Sequence, residues 1–269
     1  MKEFQQNIID IHTHILPGID DGSKDVETSV KQLKIMADLG VTDVICTPHF
    51  ITNFYENGLK KRIHAAEKLS KALEKEKVPI RIHLGSEVLL DSKSLENIKL
   101  EKLNIQGTNY VLVESEMIAF PADFTEILYY LVKAGYTPIL AHPERYNEVK
   151  KDPNIIENFL HRNVLIQINS RSLLGDYGKE AENAAWHLLH NGWVHFLASD
   201  NHCRNDNYNL ILARNLIEKK IDSYTADLLT KINPKKLLDN EKITFFYLSE
   251  SNKQNRKTFF EKILERFIR

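Results

Sequence analysis

Cysteine is scarce in this chain, and its scarcity excludes two kinds of stabilisation. Only Cys46 and Cys203 occur among 269 residues, far apart in the sequence. Two isolated cysteines provide neither a disulfide framework nor a thiolate zinc site. We therefore expect a reducing, cytoplasmic setting.

Long apolar segments and an excess of one sign of charge are missing as well. No stretch approaches the ~20 apolar residues of a membrane-spanning helix, and the N-terminus lacks a basic region followed by an apolar one. We expect neither export nor membrane insertion. The formal net charge is −1, which provides no basic field for binding a nucleic-acid backbone.

Motifs for three common kinds of hydrolysis are also absent. Thr52 and Asn209, rather than arginine, stand six positions after the two cysteines, which excludes the Cys-x5-Arg phosphocysteine route. The chain has no GxxxxGK[ST] phosphate-binding loop and no GxSxG nucleophile elbow. Nucleotide hydrolysis by a P-loop and serine acyl transfer are therefore disfavoured.

The apolar residues that are present form short runs rich in Ile and Val. These runs occupy residues 7–11, 41–46, 80–84, 110–113, 137–141, 165–168 and 194–198. The segments between them have helical apolar spacing, and Gly40, Gly135 and Gly192 stand where a helix C-terminus favours glycine. This alternation predicts an α/β domain with a parallel sheet.

The residues that follow these runs indicate how the sheet is arranged. All but one run are followed by side chains of metal-binding types, and the exception is followed by Asn169. The candidate ligands are His12 with His14, His49, Glu87, Glu114, His142, and Asp200 with His202. An open sheet gathers ligands at one switch point, whereas a barrel gathers them from nearly every strand. We therefore predict a TIM-like barrel in a single domain, with the site at its carboxyl face.

The candidate ligands predict the kind of metal site. His12 and His14 stand at i and i+2 of extended chain, so their imidazoles share one face and can chelate an ion. Asp20 or Asp21 can return over the barrel mouth, although Asp-Gly is also an ordinary turn sequence. Nitrogen and oxygen ligands without thiolate suit Mn²⁺, Fe²⁺ or Zn²⁺. At roughly four to six ligands per ion, two or three ions are implied.

The remaining histidines lie in helical patterns or inside predicted strands. We assign them packing or surface roles. They are His64, His83, His161, His187, His190 and His195.

Two arginines follow candidate ligands closely. Arg145 stands three residues after His142, and Arg204 stands two after His202. A guanidinium beside a metal cluster binds phosphate well, and the alternative for each arginine is a surface ion pair. We favour phosphate binding for Arg145 and leave both interpretations open for Arg204.

Seven ordered motifs resemble the polymerase and histidinol phosphatase (PHP) superfamily. The resemblance is closest to its bacterial protein-tyrosine phosphatases encoded with capsule and exopolysaccharide genes, and it spans residues 8–238. The motifs are DIHTHILPGIDDGS, TPHF, GSEV, the Glu of YVLVE, GYTPILAHPERY, QINSRSLLG and FLASDNH. This resemblance implies a distorted (β/α)7 barrel with three metal ions, usually manganese, that dephosphorylates a cognate tyrosine autokinase.

The resemblance also implies roles for individual residues. One ion would take His12, His14, Glu87 and Asp200; a second would take Glu87 as a bridge with Glu114 and His142; the third would take Asp21, His49 and His202. Arg145 would bind phosphate. Arg204 lies closer to the Asp-x-His pair than the usual second arginine, and Arg171 replaces a residue that is usually small.

These roles predict a mechanism. A hydroxide bridging the ions would attack phosphorus in line while Arg145 and the metals hold the nonbridging oxygens. A tyrosine leaving group, with a pKa of about 10, needs little general acid. His49 and His202 are candidate proton donors, but both are better placed as ligands, which favours an aryl ester as substrate.

Three alternatives remain open at this point. A histidinol phosphatase of histidine biosynthesis would share the fold and metals. A polymerase-linked editing nuclease is disfavoured by the balanced charge. A metal-binding scaffold without turnover is disfavoured by the intact ligand set and Arg145.

The two ends of the chain are expected to differ in role. Residues 1–240 would form the barrel, and residues 241–269 a C-terminal helical extension that packs on it. Phe259, Ile263, Leu264 and Phe267 share one face of this predicted helix.

Overall fold

A computed structural model describes residues 7–244 as alternating strands and helices. The strands are β1 (Ile8–Thr13), β2 (Val41–Cys46), β3 (His49–Phe50), β4 (Arg81–Leu84), β5 (Glu87–Leu89), β6 (Tyr110–Glu114), β7 (Thr137–Ala141), β8 (Leu165–Asn169) and β9 (Phe196–Ala198). The helices are α1 (Val26–Asp38), α2 (Leu59–Glu76), α3 (Ser94–Leu100), α4 (Phe124–Lys133), α5 (Asn147–Lys151), α6 (Ile156–Leu160), α7 (Ser170–Leu173), α8 (Lys179–His190), α9 (Leu210–Lys220), α10 (Ser223–Asp227) and α11 (Asn233–Leu238). Among these described helices, none is long and apolar enough to span a membrane.

The strands pair in parallel in two sheets. One sheet has the order β1-β2-β4, and the other has the order β3-β5-β6-β7-β8-β9. β3 follows β2 after Thr47 and Pro48, and β5 follows β4 after Gly85 and Ser86. Hydrogen bonds cross both interruptions: Gly85 N–H donates to the Cys46 carbonyl at 2.9 Å, and Glu87 N–H to the Pro48 carbonyl at 3.1 Å. The same two chain segments therefore contribute one strand to each sheet.

The first and last strands also approach each other. Asp200 N–H donates to the His12 carbonyl at 3.0 Å, and His14 N–H donates to the Asn201 carbonyl at 2.9 Å. Beyond these bonds, Thr13 and Asn201 form one isolated parallel bridge. The described residues therefore form a single α/β domain with two parallel sheets. A closed barrel, as predicted from the sequence, would have a continuous ladder between β1 and β9, and the described strands form one isolated bridge there.

The core lies on both sides of the strands. Ile9 and Ile11 of β1 belong to an inner cluster with Ile139 and Phe196, whereas Ile8 packs in the cluster that the helices cover. Strands buried on both faces explain the nearly continuous apolar runs in the sequence. The polar side chains are thereby concentrated at the strand ends.

Several element boundaries differ from the sequence-based prediction. β9 begins at Phe196 rather than at residue 194, so His195 precedes the strand instead of lying within it. The two-residue β3, the three-residue β5 and the short helices α3, α5, α6 and α7 were not predicted, because such short elements have no measurable apolar period. The predicted helix over residues 252–269 lies outside the described residues.

Arg62 stabilises the segment between β4 and β5 through hydrogen bonds to backbone carbonyls. This residue of α2 is 1% exposed, and its guanidinium donates to the carbonyls of Asn57, Gly85, Glu101 and Lys102 at 2.6–3.0 Å. Burial lowers its pKa to about 10, so the group stays charged at neutral pH. The bond to Gly85 holds the chain just before Glu87.

We predict that Arg62→Ala lowers the free energy of unfolding by about 3 kcal/mol or more, because charged hydrogen bonds are lost and buried carbonyls lose their donors. Urea denaturation followed by circular dichroism measures the change. Lys61→Ala, at an exposed position of the same helix, is the control and should change the value by less than about 0.5 kcal/mol. A similar small effect for both variants would contradict the prediction.

Candidate metal centre

Nine candidate ligands lie together at the carboxyl ends of the strands. Each stands at the end of a strand or in the loop that follows it, so residues from distant parts of the chain meet at one place. They are His12, His14, Asp21, His49, Glu87, Glu114, His142, Asp200 and His202. This is the face at which parallel α/β folds bind ligands.

Glu87 is fully buried at the centre of this cluster. Its Oε2 atom lies 3.2 Å from His12 Nε2, 3.3 Å from His14 Nε2 and 3.1 Å from His49 Nδ1. None of these contacts has hydrogen-bond geometry, although buried carboxylate oxygens normally accept a hydrogen bond. Imidazole nitrogens and carboxylate oxygens that converge on one point are a donor set typical of a cation site, so this set fits a divalent metal.

The candidate ligands form three overlapping groups, in each of which the ligand atoms lie within 4.8 Å of one another. The first contains His12, His14, Glu87 and Asp200, the second His49, Glu87 and Glu114, and the third His14, Asp21, His49 and His202. His142 adjoins the second group, with Nε2 at 2.8 Å from Glu87 Oε1 and 4.0 Å from Glu114 Oε2. Glu87 belongs to two groups, as a bridging carboxylate would.

Hydrogen bonds behind the cluster orient its histidines. Gln167 Oε1 lies 2.9 Å from His12 Nδ1, and Asp20 Oδ2 lies 2.8 Å from His14 Nδ1. Because both oxygens accept, each Nδ1 carries a proton, and Nε2 is the ring nitrogen that faces the cluster. Asp20 also accepts from the His49 backbone N–H at 3.1 Å, so one carboxylate positions two candidate ligands.

The backbone at the cluster adopts conformations that are costly for residues other than glycine. His142 has φ 35° and Asp200 has φ 53°, both in the left-handed region. A Cβ atom at Gly22 would lie 2.1 Å from the His14 carbonyl oxygen, so only glycine allows the loop to pass there. Such strain is concentrated at functional sites, where the surrounding structure maintains it.

Electrostatics in the cluster favour positive charge next to the carboxylates. Burial by itself raises the pKa of Glu87, but the neighbouring His12 and His49 bring it well below its ordinary value. Burial likewise disfavours protonation of His12, yet Glu87 and Asp200 raise its pKa to about 9. The buried carboxylates therefore stay ionised and attract cations.

Arg145 stands at the mouth of the cluster. Its Nη1 donates to Asp200 Oδ2 at 3.0 Å, and its guanidinium carbon lies 4.3 Å from the centroid of the Tyr177 ring. The side chain is 26% exposed and lines a cavity of about 310 Å³ that also contacts Glu87 and Glu114. Within residues 7–244, its other guanidinium nitrogens have no hydrogen-bond acceptor, which leaves donors for a ligand.

Arg204 lies farther out on the same mouth. Its side chain is 68% exposed, and Nη2 donates to Asp21 Oδ2 at 2.8 Å. The surface ion pair, one of the two alternatives for Arg204, is therefore present, and the partner of Arg204 in it is the candidate ligand Asp21.

The six histidines assigned packing or surface roles all lie outside the three groups.

Sequence reasoning missed Gln167 and Tyr177, which shape the site, and left Asp20 as an alternative. Gln167 lies two residues before Asn169 on β8, and this period-2 spacing was a signal that both face the mouth. Asp20 was named only as an alternative to Asp21, whereas the structure uses both. Tyr177 follows the short α7, and nothing in its sequence context indicated that it contacts Arg145.

The α/β domain has parallel strands, with a histidine–carboxylate cluster and an arginine at their carboxyl ends. This combination of fold and site is that of a metal-dependent hydrolase.

Comparison with known proteins gives the family. The family model for capsular polysaccharide synthesis, CpsB/CapC, matches residues 8–239, and the chain belongs to this family. The tyrosine-protein phosphatase YwqE of Bacillus subtilis is 32% identical over 94% of this chain and 99% of that protein. The tyrosine-protein phosphatase CpsB of Streptococcus pneumoniae is 27% identical over 88% of this chain and 100% of that protein. The family expected from the ordered motifs is thus confirmed.

Solved structures agree with this assignment. A structure from work on YwqE and the S. pneumoniae CpsB, described as metal-dependent tyrosine phosphatases, superposes with a TM-score of 0.83 at 31% identity, covering 88% of this chain and 96% of that one. A histidinol phosphate phosphatase from Lactococcus lactis superposes with a TM-score of 0.56 at 15% identity, covering 80% and 93%. The second likeness shows a shared fold.

We predict that Asp20→Asn weakens binding of divalent metal about 10- to 100-fold, because the substitution removes the carboxylate that orients His14. Metal titration followed by calorimetry measures the affinity. Asp206→Asn, which removes an exposed carboxylate paired with Lys31, is the matched control and should bind metal like the unmodified protein. Equal affinities in the two variants would show that Asp20 does not organise the site.

Proposed function

We propose that this protein is a metal-dependent tyrosine-protein phosphatase. The observation that carries the proposal is Arg145, which lines a cavity together with candidate metal ligands and keeps unpaired donors among residues 7–244. A phosphate monoester needs both a cationic clamp for its oxygens and an activated nucleophile. The names of the similar YwqE and CpsB proteins support the choice of phosphotyrosine as substrate.

The ligands are assigned to three positions, with two or three ions bound, most readily Mn²⁺ and alternatively Fe²⁺ or Zn²⁺. One position uses His12, His14, Glu87 and Asp200; the next uses Glu87, Glu114 and His142; the last uses Asp21, His49 and His202. The absence of thiolate from these groups favours metals that accept nitrogen and oxygen ligands. When bound, such ions supply Lewis acidity that neutralises phosphate charge and lowers the pKa of water.

The chain's own residues position the ester. Arg145 donates to the nonbridging phosphate oxygens while Asp200 holds its Nη1, so the guanidinium plane is set before substrate arrives. His49 and His202 belong to one ligand group with Asp21, so they act as ligands rather than proton donors. A tyrosine leaving group, with a pKa of about 10, needs little acid. Arg204, whose Nη2 donates to Asp21, provides positive charge at the outer edge of the mouth.

The finer architecture and setting belong to the same proposal. The bonds between β1 and the segment after β9 support closure into a distorted (β/α)7 barrel of the PHP type. Residues 1–240 would form this barrel and residues 241–269 a helical extension. The isolated cysteines support a cytoplasmic location. A cognate bacterial tyrosine autokinase of capsule or exopolysaccharide synthesis is the proposed protein substrate, a choice supported by the family's description.

We predict that protein loaded with Mn²⁺ releases phosphate from phosphotyrosine peptides, and that removal of the metal by a chelator abolishes release while added Mn²⁺ restores it. Colorimetric phosphate measurement provides the test, with histidinol phosphate and labelled single-stranded DNA as competing substrates. Faster turnover of histidinol phosphate would favour the biosynthetic phosphatase. Degradation of the DNA would favour a nuclease, and no turnover of any substrate would favour a scaffold.

We further predict that Arg145→Ala lowers kcat/KM for a phosphotyrosine peptide about 10²- to 10³-fold, because a charged donor to the transition state is lost. Steady-state kinetics measures the effect. Arg162→Ala removes an exposed guanidinium whose Nη1 donates to the Asn158 carbonyl, and it should leave kcat/KM unchanged. A loss below threefold for Arg145→Ala would remove this residue from the proposed mechanism.

A further inference from the structure

Arg171 extends the mouth of the cavity outward from Arg145. Its guanidinium carbon lies 4.9 Å from the centroid of the Tyr177 ring, whose centroid is 4.3 Å from the Arg145 guanidinium carbon. All three side chains line the same cavity. Arg145 is 26% exposed and bonded to Asp200, whereas Arg171 is 42% exposed, so one guanidinium lies next to the metal cluster and the other nearer the rim.

Arg171 has unpaired hydrogen-bond donors among the described residues. Its Nε donates to Asp176 Oδ2 at 3.0 Å, and its two terminal nitrogens have no acceptor among residues 7–244. The Asp176 carboxylate also accepts from Asn209 Nδ2 at 3.3 Å and is therefore shared. A guanidinium with two unused terminal groups at a cavity rim is suited to a second anion.

The two arginines are fixed relative to each other by a buried carboxylate. Glu144 precedes Arg145 and is completely buried, and its Oε1 accepts from Ser172 Oγ at 2.6 Å and from Asn169 N–H at 2.9 Å. Ser172 adjoins Arg171 on α7. The turn that carries Arg145 and the helix that carries Arg171 are thus tied together, so the spacing of the guanidinium groups is set by the fold.

That spacing corresponds to a short stretch of peptide. Because both guanidinium carbons are measured from one ring centroid, they lie no more than about 9 Å apart. An extended chain spans ~3.3–3.6 Å per residue, so this upper limit corresponds to no more than three residues. A phosphotyrosine held by Arg145 would therefore place a residue within three positions of it beside Arg171.

We infer that Arg171 and Tyr177 form a second anion subsite that selects phosphotyrosine substrates carrying another negative group within three residues. The inference rests on the proposed function and deepens it by naming a substrate class. The subsite would bind an anion that accepts hydrogen bonds from a guanidinium. That anion is either a carboxylate or the phosphate of a second phosphotyrosine. Asp176 competes with that anion for Arg171 and thereby sets how strongly it is bound.

Three phosphotyrosine peptides test the subsite on the full-length, Mn²⁺-loaded protein. One has neutral flanks, one carries glutamate at each of the three positions on either side, and one carries a second phosphotyrosine within the same three positions. We expect kcat/KM to be about 3- to 10-fold higher for at least one anionic peptide than for the neutral one, the size of a partly solvent-screened charge pair. Preference for both anionic peptides identifies any anion as sufficient, and preference for the doubly phosphorylated one alone identifies phosphate as the source.

Variants separate a subsite from a structural role. Arg171→Gln should reduce the ratio of anionic to neutral kcat/KM to about 1, and Asp176→Asn should raise it, because a competing carboxylate is removed. Arg162→Gln, which removes an exposed charge elsewhere, should leave the ratio unchanged. High salt should lower the ratio in the unmodified protein.

The possible failures are distinguishable. If the unmodified protein hydrolyses all three peptides equally well, the subsite is overturned while the proposed function stands. If Arg171→Gln keeps the preference, or lowers kcat/KM equally for all peptides, Arg171 acts otherwise and the subsite is also overturned. If no peptide is hydrolysed, the proposed function itself fails.

Discussion

The main physical constraint on this structure is that several carboxylates stay ionised while they are buried in one cluster. Glu87 is completely buried and Asp200 nearly so, yet both remain ionised because imidazoles surround them. Uncompensated charges in such a position would cost several kcal/mol each. The cluster is therefore stable only when positive charge is present between its carboxylates, and divalent ions supply that charge most compactly.

The fold accommodates this requirement at the strand ends. The chain leaves β2 through Thr47 and Pro48, and leaves β4 through Gly85 and Ser86, so that His49 and Glu87 begin new short strands at the cluster. Asp200, whose carboxylate lies in the cluster, has left-handed backbone. Local irregularity in the sheet is thus concentrated where ligands must converge.

The ionisable groups differ in kind between the interior and the mouth. Carboxylates and imidazoles form the floor around Glu87, whereas Arg145, Arg171 and Arg204 line the opening. A dianionic phosphate fits between a cationic floor, once metal is bound, and cationic walls. Tyr177 links two of these arginines through its ring and keeps a neutral surface between them, since burial raises the pKa of its phenol.

The sequence predicted the repeated strands well, because buried parallel strands give continuous apolar runs with a polar residue at the end. The run at 137–141 coincides with β7, and the run at 41–46 with β2. The candidate ligands were recognisable for the same reason, since they lie at the end of these apolar runs or in the loops after them. By contrast, β3 and β5 are too short to have an apolar period.

Contacts between distant residues were beyond sequence reasoning. The bond from His12 to Gln167 joins residues 155 positions apart, and the stacking of Tyr177 on Arg145 depends on the path of a loop. Such pairs arise from tertiary packing and leave no local pattern. They are also the contacts that orient the ligands and the phosphate-binding arginine.

The central claim is that the buried cluster binds divalent cations. Anomalous diffraction from crystals grown with Mn²⁺ tests it most directly. The account predicts two or three anomalous peaks within about 2.0–2.5 Å of the nitrogen and oxygen atoms of the three ligand groups. An ordered cluster without anomalous density, or manganese bound only elsewhere on the protein, would contradict it.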